Sequence, residues 1–205
     1  AMTLYREMER EMFVELENTG VEAFNAASKT IKCLQLASGT LKLDDTGRWA
    51  EVHEAKLEAL DSIIEEAAGM PVLVAYNFVA DRERLLERYG KSAVDLATES
   101  GLRRFKAGEI RVGIGHPASI GHGIDGLQYA TNIIAFFGVD WNLENRLQII
   151  ERIGPTRQFQ AGFKRPVYVH NIVAKGTLDE LVLQRVATKA DVQQLLIERM
   201  KGGTP

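Results

Sequence analysis

The chain has 205 residues and a formal net charge of -3 at pH 7. This length suits one domain with an appendage and is short for two full α/β domains. Hydrophobic residues make up 45% of the chain and charged residues 26%, which excludes a disordered or low-complexity protein. The acidic balance also excludes a surface that is basic throughout, so any nucleic-acid binding requires a local patch.

Apolar runs in the chain are too short for a membrane-spanning helix, which needs about 18 residues, and the N-terminus lacks the apolar block of a signal peptide. Cys33 is the single cysteine, which excludes an intramolecular disulfide. We therefore expect a cytoplasmic protein without a membrane partner.

Helical spacing dominates the first third of the chain. Apolar residues recur there every three or four positions, and turn-forming residues separate the periodic segments. The predicted elements are two helices between residue 3 and about residue 36, a small hairpin with strands at 41–43 and 49–51, and a helix over 54–68. Residues 1–69 thus predict a helical lead-in with a hairpin connector.

From residue 70 onward, short apolar runs alternate with helical segments. An almost uninterrupted apolar run is typical of a parallel strand that is covered on both faces. Strands are predicted at 72–76, 110–114, 132–137 and 167–173, with a weaker one at 92–96, and helices at 79–89, 101–106, 143–153 and 178–200. This alternation predicts βαβ units, so residues 70–201 are expected to form an α/β domain with an open, mainly parallel sheet.

A glycine-rich segment follows the predicted strand at 110–114. It contains Ser119 and glycines at 115, 121, 123 and 126. Open parallel sheets bind ligands where strands end, and glycines allow the backbone to approach a phosphate closely. The segment predicts a contact with phosphate or with a sugar-phosphate backbone, and a plain glycine turn is the alternative.

Two arginines mark the next candidate site. Gln148 and Arg152 are four residues apart in a predicted helix and therefore share one face, and Arg157 follows a break at Gly154 and Pro155. Arginine presents a planar fork of donors and stays charged, which suits a polyphosphate. A solvated helix face is the alternative interpretation.

Taken together, five segments resemble, in order and spacing, the second RecA-like domain of superfamily-two helicases, especially Swi/Snf-type DNA translocases and their phage and bacterial relatives. The segments are residues 52–57, 72–78 (motif IV), 119–128 (motif V), 140–142 and 148–158 (motif VI). The resemblance implies a RecA-like three-layer α/β fold with an open, mainly parallel sheet, preceded by a helical N-terminal extension.

The resemblance also implies residue roles. Arg152 would be an arginine finger that Gln148 helps to place. Family members carry a second arginine where this chain has Pro155, and Arg157 is the candidate replacement. The implied nucleotide contacts are Gly123, Asp125 and Arg152, and the implied nucleic-acid contacts are Asn77, Phe78, Ser119, Gly121, His122 and Gln128.

The chain contains no Gly-x-x-x-x-Gly-Lys-Ser/Thr loop and no acidic metal box. We therefore expect ATP and Mg²⁺ to be bound mainly by an N-terminal RecA-like lobe of the same parent protein, and we expect no cofactor or metal in this chain alone. The chain would be the C-terminal motor lobe of an ATP-dependent DNA helicase or double-stranded DNA translocase, with the DNA backbone as partner. The parent would be an ATP hydrolase, and activity of this chain by itself is an open question.

Two other functions stay open. One is a self-contained α/β enzyme that binds a nucleotide or nucleotide-sugar in the glycine-rich segment. The other is a non-catalytic interaction module whose terminal helices dock a partner.

Overall fold

The computed structural model describes residues 2–8, 23–44, 46–121, 124–139, 142–184, 186 and 188. The helices are α1 (2–8), α2 (Ala23–Ser38), α3 (Ala55–Glu66), α4 (Val79–Tyr89), α5 (Glu99–Lys106), α6 (Pro117–Gly121), α7 (Leu127–Ala130), α8 (Leu143–Ile153), α9 (Pro155–Gln160) and α10 (178–184). The strands are β1 (Thr40–Lys42), β2 (Trp49–Glu51), β3 (Val72–Ala75), β4 (Ala93–Asp95), β5 (Val112–Gly115), β6 (Ile133–Phe136) and β7 (Tyr168–Asn171). The boundary between the first two predicted helices and most of the predicted helix beyond residue 184 lie outside the described residues.

Five strands form one parallel sheet in the order β4-β5-β3-β6-β7. All four residues of β3, β5 and β6 are buried, which is the pattern expected when helices cover both faces of a strand. The predicted α/β class with an open parallel sheet is confirmed. β1 and β2 pair separately as the predicted antiparallel hairpin.

The sheet separates two hydrophobic cores. Val72 and Val74 point to one face, where they pack with side chains of α3 and α4, and Leu73 and Ala75 point to the other face. That second face is covered by apolar side chains from α5, α6, α7 and α8. Because successive residues of a strand alternate between faces, two helical layers enclose the sheet, and the three-layer arrangement is confirmed.

The glycine-rich segment is more helical than the sequence predicts. It contains the short helices α6 and α7, with Gly126 in the left-handed region (φ 85°) just before α7. Ile120 and Leu127 are fully buried in the second core. Burial of these two side chains brings their backbone into the interior, where short helical turns provide hydrogen bonds for its N–H and C=O groups. The segment is therefore not an open loop throughout.

Buried polar contacts attach the lead-in to the sheet domain. The guanidinium of Arg84 in α4 donates to the carbonyl oxygens of Ser38 (2.9 Å) and His53 (2.7 Å). Lys56 of α3 pairs with Asp179 of α10 at 2.6 Å, and the two side chains are only 3% and 2% exposed. α4 therefore connects to the end of α2, and α3 connects to α10. The boundary at residue 69 stays a prediction.

Within the described residues, we find no helix that combines the length and the apolar character needed to cross a bilayer.

The Lys56 and Asp179 pair provides a stability test. Lys56→Met leaves the Asp179 carboxylate buried without its cation, so we expect a loss of about 3–5 kcal/mol in the free energy of unfolding. Urea denaturation of the chain measures this loss. The matched control is Arg104→Ala, which removes an exposed ion pair with Glu109 and should change stability little. Equal effects of the two substitutions would contradict the structural role of the buried pair.

Asp81 provides a pH test. Burial raises its pKa from 3.8 to about 6, although Oδ2 accepts a hydrogen bond from the backbone N–H of Phe78. The folded state thus holds the Asp81 proton more tightly than the unfolded chain does. The resulting stabilisation of the folded state is fully present below the pKa of the unfolded chain and is lost as the pH rises through the pKa of the folded state.

Asp81→Asn keeps an acceptor for Phe78 and cannot ionise. Its stability relative to the unmodified chain should therefore rise by roughly 1.4 kcal/mol per pH unit between the two pKa values. Urea unfolding of both proteins at a series of pH values checks this, and a pH-independent difference would contradict it.

Candidate functional site

Three connections meet at the carboxyl edge of the sheet, because parallel strands all end on the same side. Asn77 follows β3, His116 follows β5 and Gly138 follows β6. A Cβ on Gly138 would lie 2.9 Å from Nδ2 of Asn77, so these two connections pack closely together. This is the edge where open α/β sheets bind ligands.

The glycine-rich segment contacts the arginine-bearing helix. Nη2 of Arg152 donates to the carbonyl oxygen of Gly121 at 2.7 Å. A Cβ on Gly121 would lie 3.0 Å from Oε1 of Gln148, so the glycine allows α6 to approach α8 closely. The structure thus brings together three predicted site residues that are far apart in the sequence.

Local sequence explains why α8 presents this face. The side chain of Asn142 accepts a hydrogen bond from the backbone N–H of Asn145 and caps the helix. Ile149 and Ile153 are fully buried against the sheet. Gln148 and Arg152, each one residue before a buried isoleucine, are therefore half-buried at the margin of the core, and their predicted shared face is confirmed.

Arg157 lies on α9, which begins at Pro155 directly after α8. Its Nη1 pairs with Oδ1 of Asp125 at 3.0 Å, and the side chains are 38% and 69% exposed. Arg157 also lines an open groove of about 540 Å³ between α8 and α9. The second predicted arginine is thus held by the segment that precedes α7, and its partner is a predicted nucleotide-contact residue.

The predicted nucleic-acid contacts differ in exposure. Ser119 is exposed on α6 and Asn77 is half-buried at the edge. Phe78 packs against an apolar cluster with Leu34 and Val139. Gln128 is only 6% exposed, so its side chain faces the interior. His122 and Gly123 lie outside the described residues.

His116 also belongs to this edge. Its ring meets Tyr76 edge-on with centroids 6.0 Å apart, and its Nδ1 accepts a hydrogen bond from the backbone N–H of Ala118. His116 lies between β5 and α6, the helix that carries the exposed Ser119.

Sequence reasoning missed two buried polar side chains that hold this region. Arg146 lies 3.8 Å above the ring of Phe136 and donates to Oδ1 of Asn171. Arg146 lies on the same helix face as Leu143 and Ile149, where an apolar residue is expected. A charged residue at such a position is the sequence feature that could have indicated a buried arginine.

Gln158, next to Arg157, is 1% exposed. Its Nε2 donates to the carbonyl oxygens of Thr131 and Ile153, and its Oε1 accepts from Nε of Arg165. Gln158 therefore ties α9 to the start of β6 and to the end of α8. No sequence signal separates it from an exposed glutamine.

Sequence comparison finds relatives but no matching family model. A putative protein p41 from Acyrthosiphon pisum secondary endosymbiont phage 1 is 51% identical over 197 residues, which are 96% of this chain and 43% of that protein. The DNA repair and recombination protein RAD54-like of Drosophila ananassae is 33% identical over 67 residues, covering 33% of this chain and 8% of the relative. Chromodomain-helicase-DNA-binding protein 1 of Homo sapiens is 31% identical over 71 residues, covering 35% and 4%. The chain spans less than half the length of each of these relatives.

Two solved structures share the fold. The Sulfolobus solfataricus SWI2/SNF2 ATPase core domain matches 92% of this chain and 40% of its own with a TM-score of 0.63 and 17% identity. The C-terminal part of the Fun30 ATPase domain matches 63% of this chain and 44% of its own with a TM-score of 0.51 and 20% identity. These likenesses concern the fold, and they agree with the motif resemblance.

The neighbours Arg157 and Gln158 should behave oppositely when replaced. Gln158→Leu removes the donor to two buried carbonyl oxygens and the acceptor for Arg165, so we expect a loss of about 3 kcal/mol in unfolding free energy. Arg157→Ala removes an exposed pair and should cost less than about 1 kcal/mol. Thermal and urea unfolding measure both, and a stable Gln158→Leu variant would refute the anchoring role.

Proposed function

We propose that this chain, which has the RecA-like fold of SWI2/SNF2 ATPase cores, is the C-terminal motor lobe of an ATP-dependent DNA translocase or helicase. The observation that carries this proposal is the hydrogen bond from Arg152 to the carbonyl oxygen of Gly121. It joins an arginine suited to a nucleotide phosphate to a glycine segment suited to a nucleic-acid backbone. A change at either element would be transmitted to the other.

Arg152 is the proposed arginine finger. A guanidinium has several donors, and the bond to Gly121 uses Nη2, so the same group can hold a phosphate oxygen as well. ATP supplies the phosphoryl group that is transferred, and a positioned guanidinium that neutralises its developing charge is worth about 10³ to 10⁵ in rate. Gln148 supports this position because it packs against Gly121 from the same helix face.

Arg157 is the proposed second arginine. Its pair with Asp125 is solvent-exposed, and such pairs contribute only about 0–1 kcal/mol. A nucleotide phosphate could therefore take the place of the Asp125 carboxylate at small cost. Asp125 would then hold Arg157 near the site when nucleotide is absent.

Ser119 and the backbone of α6 are the proposed contacts with DNA. The Ser119 side chain is exposed at the carboxyl edge. Hydroxyl and amide groups bind phosphate oxygens irrespective of base sequence, as a protein that moves along DNA requires. The names of the RAD54-like and chromodomain-helicase-DNA-binding relatives support DNA as the partner.

The remaining motor parts would belong to a second, N-terminal lobe of the same protein. This sequence has no phosphate-binding loop, and we propose that most contacts with ATP and Mg²⁺ come from that lobe. The phage relative supports this division, because the aligned region is only 43% of its length. Hydrolysis by the present chain alone is not expected.

The test replaces Arg152 in the parent protein. Arg152→Ala should lower DNA-stimulated ATP hydrolysis by at least about 10³ while DNA affinity is retained, because the finger acts on the transferred phosphoryl group. Arg152→Lys should restore little activity, since lysine lacks the planar fork. Steady-state phosphate release and fluorescence anisotropy with a labelled duplex measure the two properties.

Arg48→Ala is the matched control, because Arg48 is an exposed arginine of the distant hairpin. Its hydrolysis rate should equal that of the unmodified protein. Normal hydrolysis by Arg152→Ala would refute the finger assignment, and DNA-stimulated hydrolysis by the isolated chain would refute the division between lobes.

A further inference from the structure

One part of the chain carries a net positive charge. From Arg152 to Leu178 the sequence contains no Asp or Glu and five Lys or Arg residues, although the net charge of the chain is -3. Arg152 and Arg157 belong to the candidate site described above. Lys164 and Arg165 belong to the connection between α9 and β7, which has no assigned role.

Exposed aromatic rings lie beside these cations. Tyr129 of α7 is 59% exposed and Phe159 of α9 is 73% exposed, and the two helices pack against each other. The ring of Tyr129 meets that of Phe163 edge-on with centroids 6.4 Å apart. The guanidinium of Arg165 lies 4.2 Å from the centroid of Phe163. We call Tyr129, Phe159, Phe163, Lys164 and Arg165 the aromatic-cationic surface.

The aromatic-cationic surface is built on rigid support. Arg165 donates from Nε to Oε1 of Gln158 and from Nη2 to the carbonyl oxygen of Gln128, both at 2.8 Å. Gln158 is itself buried and bonded to two backbone carbonyl groups. The core therefore fixes Arg165 beneath Phe163, while Tyr129 and Phe159 remain exposed to solvent, where they add little to folding. Large exposed rings in a fixed frame are typical of a binding surface.

This surface is separate from the proposed DNA contact at Ser119, although Phe159 shares α9 with Arg157. Tyr129 lies shortly before β6, and Phe163 to Arg165 lie shortly before β7, so they gather near the amino ends of these strands. Ser119 follows β5 at the carboxyl end. The two surfaces can therefore contact different parts of a nucleic acid.

We propose that the aromatic-cationic surface binds single-stranded nucleic acid. Tyr129 and Phe159 would stack on unpaired bases, and Lys164 and Arg165 would meet the phosphates. Base stacking requires an unpaired base, because in a duplex both faces of each base are already occupied by its neighbours. The absence of acidic residues from 152 to 178 favours a polyanion over a protein partner, and the acidic neighbour Asp125 is paired with Arg157.

The test measures binding of the purified chain to a fluorescein-labelled oligothymidine of about 16 nucleotides and to a duplex of the same length. Tyr129→Ala and Phe159→Ala should each weaken single-strand binding at least about fivefold and leave duplex binding unchanged. Tyr129→Phe keeps the ring and should bind normally. Lys164→Glu should weaken single-strand binding and reduce the salt dependence of the binding constant by about one phosphate contact.

Leu43→Ala is the matched control, because Leu43 is 58% exposed on the distant hairpin. It should bind both probes normally, and thermal unfolding should show that all variants are folded. Single-strand affinity unchanged by both ring substitutions would overturn the proposal. An absence of oligonucleotide binding would also overturn it. In that case, loss of self-association by Tyr129→Ala in size-exclusion chromatography would identify the surface as a contact between copies of the chain.

The motor role and this surface can fail independently. Ser119→Glu places a charge at the proposed duplex contact and should weaken duplex binding alone, whereas Tyr129→Ala should weaken single-strand binding alone. If Arg152→Ala lowers ATP hydrolysis as expected but Tyr129→Ala leaves single-strand binding unchanged, only the present inference is rejected.

Discussion

The structure depends on one constraint, which is that both faces of a fully apolar parallel sheet must be covered. The central strand β3 is buried on both sides, and its alternate residues feed two separate cores. A helix on only one side would leave half of these side chains in water, at roughly 25 cal/mol for each Å² of apolar surface. The lead-in helix α3 and the arginine helix α8 therefore serve the same purpose on opposite faces.

This constraint also positions the candidate site. α8 is held against the sheet by Ile149 and Ile153, and Ile120 holds α6 in the same core. Once both helices are packed, Gly121 and Arg152 are brought within hydrogen-bond distance. The contact between the two functional elements is thus a consequence of core packing, and the glycine allows the close approach, since a Cβ there would lie 3.0 Å from Oε1 of Gln148.

Charged groups in the interior give the lead-in its fixed place. The Lys56 and Asp179 pair and the buried Arg84 connect α3, α4, α10 and the end of α2. Buried charges of this kind contribute little net stability compared with apolar packing, but removing one partner is costly. The raised pKa of Asp81 has a related cause, because the cost of burying its carboxylate exceeds the stabilisation from its hydrogen bond and the nearby cations.

The sequence alone determined the α/β class, the order of the strands and longer helices, and the shared helix face of Gln148 and Arg152, because apolar periodicity and a four-residue helical spacing are local properties. It also identified the glycine segment as a candidate site. It did not reveal that Gln128 faces the interior, that Gln158 is an anchor while Arg157 is exposed, or that Tyr129 meets Phe163. These outcomes depend on which helices pack together across the sheet, and no window of neighbouring residues contains that information. Tertiary structure alone decided them, because burial is set by contacts between segments that are distant in the chain.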